Sequence, residues 1–80
     1  MDDREILHRI NTLVDEEHRL LNAHTSGGLA EGERERMERL EVTLDQCWDL
    51  LRQRRARRHA GENPNEAEVR PPEVVERYQQ

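Results

Sequence analysis

Two segments of this chain carry apolar side chains at the spacing of a coiled coil, and this spacing limits the fold more than any other feature. In the first segment, Leu7, Val14 and Leu21 recur every seven residues. In the second, the apolar positions alternate three and four residues apart; they are Met37, Leu40, Leu44, Cys47 and Leu51. Such spacing is typical of helices that pack along a narrow seam. The sequence therefore predicts an all-α fold with two long helices.

Signals of helix termini place both helices in a hairpin over residues 1–60. Asp2 and Glu5 have the spacing of a capping box, which predicts a first helix over about 3–24. A Gly-rich segment then breaks the helical pattern, and an acidic first turn opens a second helix over about 31–60. The short connection requires the two helices to be antiparallel.

Residues 61–80 form a tail that composition predicts to be only partly ordered. Two consecutive prolines inside it favour the start of a short helix over 72–79, because proline is tolerated in the first turn of a helix. That helix would present Val74, Val75 and Tyr78 on one face, able to dock on the end of a bundle or on a partner.

The apolar positions also predict the register of the hairpin. Pairing residues whose numbers sum to about 58 brings apolar side chains together on both helices. The predicted pairs are Leu21–Met37, Val14–Leu44, Ile10–Cys47 and Leu7–Leu51. The same register places Asp2, Asp3 and Glu5 beside Arg54 and Arg55 and leaves Arg57 and Arg58 beyond the start of the first helix.

The first helix has three apolar positions per heptad, which is more than pairing with one helix can bury. We therefore expect a homodimer in which two hairpins form a four-helix bundle, or docking on a larger cytosolic protein. The interface candidates are Leu13, Glu17, Leu20, Trp48, Leu50, Arg54, Arg57, Arg58 and Tyr78. The predicted function is that of a small, non-catalytic interaction module.

Glu17 is the one charged residue at a core-type position, next to Leu40 in the predicted register. A buried, unpaired carboxylate is costly. We expect Glu17 to reach Arg36, Thr43 or a partner chain and to fix the register there. Extension of its carboxylate into solvent is the alternative.

Five arginines stand between residues 52 and 58 and suggest contact with nucleic-acid phosphates as an alternative function. The net charge of −5 and the lack of stacking aromatic residues beside the cluster argue against it. Pairing with the acidic start of the first helix accounts for much of the cluster, so a protein partner is favoured over nucleic acid.

A second alternative is a dimeric metal-binding bundle that uses Glu17 and His18. Sites of this kind need several inward-facing acids and histidines from neighbouring helices, and the second helix has no histidine before His59. No nucleophile motif, phosphate loop or nucleotide fingerprint occurs either. We expect no metal, no cofactor and no enzymatic activity.

Cys47 is the only cysteine, and no apolar run is longer than two residues. These features predict a chain without an internal disulfide or a membrane-spanning helix, located in the cytoplasm.

Three stretches of sequence together suggest a family. They are LVDEEH at 13–18, LDQCWDLLRQRRA at 44–56 and VRP at 69–71. With them the chain resembles, over nearly its whole length, a short actinobacterial family defined as a domain of unknown function, number 2630. The resemblance implies a short, helical, cytosolic protein and brings no activity, substrate or catalytic residue.

Overall fold

The structure, a computed structural model, describes residues 1–22, 28 and 30–76. Two long helices, α1 (Asp3–Asn22) and α2 (Glu31–His59), are followed by a 3-10 turn (Pro64–Glu66) and a short helix α3 (Pro72–Glu76). The described residues include no strand. The predicted all-α hairpin with a short C-terminal helix is confirmed. The predicted ends of the first helix at residue 24 and of the last at 79 lie outside the described residues.

The ends of both long helices have local causes in the sequence. At the start of α1, Asp2 accepts a hydrogen bond from the Glu5 amide at 2.8 Å, and the Glu5 carboxylate accepts one from the Asp2 amide at 3.4 Å. These two bonds form the predicted capping box. At the end of α2, Gly61 adopts a φ of 76°, and the amide of Glu62 donates to the carbonyl of Arg57 at 2.7 Å. This arrangement is a Schellman motif, which requires a residue such as glycine in the left-handed region.

One core holds the hairpin together near the start of α1 and the middle of α2. It consists of Ile6, Ile10, Leu44, Cys47 and Leu50, with Leu13, Val14, Leu51 and Ala67 packed against it. Ala67 belongs to the tail, so the tail contributes to the core of the hairpin.

Leu7 and Leu21 lie at the edge of the seam rather than inside it. Their side chains are 45% and 50% exposed, whereas Ile6 is fully buried. The centre of the contact face of α1 runs through Ile6 and Ile10. Leu7 is one residue beyond Ile6 and therefore lies about 100° further around the helix. The predicted pairs at the two ends of the seam are corrected accordingly.

The tail runs back along α2 and docks on it. α3 contacts α2 through Val75, whose side chain is 1% exposed, and Val74 is half-buried. Residues 61–76 follow one path along α2, and the partial order of the segment 61–80 stays a prediction. The contacts responsible are mostly polar and are described next.

Candidate interaction surface

A buried ion pair fixes the tail to α2. The side chain of Asp49 is 1% exposed, and the Arg70 guanidinium binds both of its carboxylate oxygens, with Nε donating to Oδ2 at 2.8 Å. The hydrogen bonds from Arg70 lower the pKa of the Asp49 carboxyl despite its burial, and a bond from Gln53 adds to this effect. Asp49 is therefore a carboxylate that the fold keeps charged by means of the tail.

Two glutamines on the same face of α2 bind the backbone of the tail. Gln46 Nε2 donates to the carbonyl of Arg70 at 3.2 Å, and Gln53 Nε2 donates to the carbonyl of Glu68 at 2.8 Å. Gln46, Asp49 and Gln53 follow one another at helical spacing, so they form a polar stripe on α2. This stripe was not predicted, although its helical period is visible in the sequence. We call this surface of α2 the tail face.

A second polar cluster joins the start of α1 to the end of α2. Arg54 Nε donates to Asp3 at 2.5 Å, and Arg58 Nη2 binds the other carboxylate oxygen of Asp3 at 2.7 Å. Arg54 also donates to the carbonyl of Pro64 and to the side chain of Asn65. Hydrogen bonds from Arg58 and then Arg54 lower the pKa of Asp3. Of the predicted contacts between the acidic start of α1 and the arginines, the one between Asp3 and Arg54 is confirmed. The contact with Arg55 is wrong, because Arg55 is exposed and forms no hydrogen bond or ion pair with the described part of α1. Arg58 binds Asp3 instead of extending beyond α1.

Few of the clustered arginines remain available to an outside anion. Arg54 and Arg58 are engaged by Asp3, and Arg57 lies 3.5 Å from Glu66. Arg52 and Arg55 are exposed and form no hydrogen bond or ion pair with any described residue. The predicted basic cluster is thus largely occupied in joining the elements of the fold, and nucleic-acid binding stays a prediction.

Glu16, not Glu17, pairs with Arg36 of α2. Glu17 is half-buried and forms no hydrogen bond or ion pair within the described ranges. Thr43 donates to the carbonyl of Arg39 at 2.9 Å, one turn earlier in α2. The expected contacts of Glu17 with Arg36 and Thr43 are therefore wrong for the single chain, while a contact with a partner chain stays a prediction.

The other predicted interface residues occupy different environments. Leu50 is 6% exposed and belongs to the core. Leu13 packs against that core, and Leu20 is half-buried. Trp48 is 45% exposed. Tyr78 lies outside the described residues.

The side of the hairpin away from the tail carries exposed apolar side chains from both helices. On α2, Trp48 lies on the other side of the helix from Gln46 and Gln53, which bind the tail. On α1, Leu7 lies nearly opposite Arg9, which lines a hollow next to the tail. We define the bare face as Leu7, Val14, Leu21, Trp48 and Leu51. Three of these are about half exposed, and Val14 and Leu51 connect them to the core.

The hollows in the described part of the chain are small or open. A pocket of about 80 Å³ lies between the helices and the tail, next to Cys47 and Val69, and is below the usual size of a small-molecule site. Burial raises the pKa of the Cys47 thiol, which lowers its reactivity. Within the described ranges, no three His, Cys, Asp or Glu side chains lie together as metal ligands, and no helix is long and apolar enough to cross a membrane.

Comparison with known proteins identifies relatives over the whole hairpin and tail. Residues 2–80 match the family described as "Protein of unknown function (DUF2630)". The chain is 51% identical over 77 residues to an uncharacterised protein of Mycobacterium bovis and to uncharacterised proteins of two Mycobacterium tuberculosis strains, covering 95% of this chain and 88% of each relative. No solved structure matches. The chain thus belongs to this family of proteins of unknown function.

Proposed function

We propose that this chain is a non-catalytic interaction module of the cytoplasm that associates with a second copy of itself through the bare face. The observation that carries the proposal is the difference between the two sides of the hairpin. The tail covers one side and buries Val75, whereas the other side leaves Leu7, Leu21 and Trp48 about half exposed. An apolar surface assembled from two helices is typical of a protein interface.

The charges of α2 support a second copy as the occupant of this face. Residues 31–45 contain six acids and three arginines, whereas residues 46–59 contain five arginines and one acid. Because the two halves of α2 carry opposite charge, a second α2 that runs antiparallel to the first places each half beside a half of opposite charge. Arg54, Arg57 and Arg58 are engaged within the chain, so the exposed Arg52 and Arg55 carry this complementarity. Two hairpins that bury their bare faces against each other would place these two arginines along the acidic half of the second copy, and would gain favourable electrostatics as well as apolar burial.

The lack of a deep, ligand-sized pocket among the described residues supports a non-catalytic role. Once two bare faces are joined, docking on a larger protein would use the surfaces that remain outside, including the tail. We therefore propose that self-association comes first and that the dimer is the form that would dock on a larger protein.

Sedimentation equilibrium of the full chain and of the Leu21→Glu variant tests the proposal. We expect the unmodified chain to be a dimer at micromolar concentration. The variant should associate at least about a hundred-fold more weakly, because it places a carboxylate in an apolar interface at a cost of several kcal/mol.

Val69→Glu is the matched control, because Val69 is 60% exposed but belongs to the tail. It makes the same chemical change outside the bare face and should leave the dimer intact. Circular dichroism of both variants checks that the helices are retained. A folded, monomeric unmodified chain at these concentrations would overturn the proposal.

A further inference from the structure

The bare face has a symmetric row of apolar residues on α1. Leu7 and Leu21 each lie seven residues from Val14, so each is about 10 Å from it along the helix axis. Both outer residues are about half exposed, and Val14 between them packs on the core. A half-turn about an axis through Val14, perpendicular to α1, exchanges the two leucines and maps the row onto itself.

The charges of α2 divide at the same level of the hairpin. Val14 and Leu44 belong to the same packed cluster, and residue 44 lies next to the boundary between the acidic half (31–45) and the basic half (46–59). A half-turn through Val14 therefore lays the acidic half of one α2 along the basic half of the other. A parallel two-fold arrangement would instead place α2 of one copy on α1 of the other, so the oppositely charged halves of the two α2 helices would not face each other.

We infer that two copies bind in an antiparallel manner through their bare faces, with α1 on α1 and α2 on α2 and the two Val14 residues meeting at the two-fold axis. Each Leu7 then contacts Leu21 of the second copy. The inference rests on the proposed self-association and specifies its geometry. The resulting four-helix bundle carries the two tails on its outer surfaces.

Cysteine cross-linking of the full-length chain tests the geometry. Val14→Cys, Leu7→Cys and Leu21→Cys are prepared singly and treated with a short bis-maleimide. The unmodified chain serves as the background control, because its only cysteine, Cys47, is buried. We expect Val14→Cys to give covalent dimers. Leu7→Cys alone should give none, since its two copies would lie about 20 Å apart along the axis.

An equimolar mixture of Leu7→Cys and Leu21→Cys should cross-link to the mixed dimer, identified by mass spectrometry. Efficient cross-linking of Leu7→Cys to itself would overturn the antiparallel geometry. Sedimentation of the same samples separates the two proposals. A dimer with the wrong cross-links contradicts only the geometry, whereas a monomer contradicts the self-association on which it rests.

Discussion

At the level of single residues, Asp49 shows how the chain tolerates a charge inside a small fold. Asp49 lies on the tail face of α2, about 100° around the helix from Trp48 and about 160° from Leu51 of the bare face. Burial alone would raise the pKa of this carboxyl, yet the bidentate contact from Arg70 outweighs the desolvation and lowers it. Arg70 lies 21 positions after Asp49 in the chain. The ion pair therefore links the path of the tail to the stability of the hairpin.

Replacing Arg70 with methionine should lower the free energy of unfolding by about 2–3 kcal/mol. The variant keeps a long apolar side chain but leaves a buried carboxylate without its cation. Arg39→Met is the matched control, because Arg39 is exposed on α2 and its guanidinium pairs with no described residue. That control should change stability by less than about 0.5 kcal/mol. Urea unfolding followed by circular dichroism measures both.

The pH dependence of this difference distinguishes loss of the ion pair from simple loss of packing. The pKa of Asp49 in the folded chain is below its ordinary value of 3.8. The ion pair therefore stabilises the fold above pH 3.8, and this contribution declines as the pH falls through the lowered pKa. In Arg70→Met, burial without the arginine raises the pKa of Asp49, so the gap between the two chains should begin to shrink above pH 3.8 and continue to shrink below it. A gap that stays constant down to pH 2 would contradict a role for the carboxylate's charge.

At the level of helices, the sequence predicted what depends on local pattern and missed what depends on distant contacts. Caps, glycines and heptads belong to short stretches, so the hairpin and the capping box at Asp2 and Glu5 were predictable. The docking of the tail depends on the meeting of Asp49 with Arg70, which no local pattern reports. The polar stripe on α2, with Gln46 and Gln53 on either side of Asp49, was the one local signal of a polar partner on that face, and it was not used in the prediction.

Substitution of Val75 tests whether the contact of α3 with α2 contributes to the stability of the fold. Val75→Ala removes two methyl groups from a side chain that is 1% exposed, and we expect a loss of about 2 kcal/mol in unfolding free energy. The same change at Val69, which is 60% exposed, should cost less than about 0.5 kcal/mol. Hydrogen exchange adds a local measurement, since amides of α2 under the tail should exchange faster in Val75→Ala. Equal effects at both positions would contradict a stabilising role for α3.

At the level of the whole molecule, the tail and the proposed second copy each cover apolar side chains of the hairpin, on opposite sides of it. Two helices cannot bury all of their apolar positions against each other, and α1 has three such positions per heptad. The tail covers one side with Val75, Ala67 and the Asp49–Arg70 pair. The bare face is left on the other side. The antiparallel dimer would complete the core there, so that folding and association would be coupled.

This coupling predicts that the thermal midpoint of unfolding rises with protein concentration. A tenfold increase in concentration stabilises a dimer by about 1.4 kcal/mol relative to separated unfolded chains. For a cooperative unit of two such chains, this corresponds to an increase of about 3–5 °C. Scanning calorimetry across a hundred-fold concentration range measures it. Leu21→Glu should unfold at a lower, concentration-independent midpoint, whereas Val69→Glu should keep the dependence. A concentration-independent midpoint in the unmodified chain, with a dimer present by sedimentation, would mean that the hairpin and its tail are stable alone and that association follows folding.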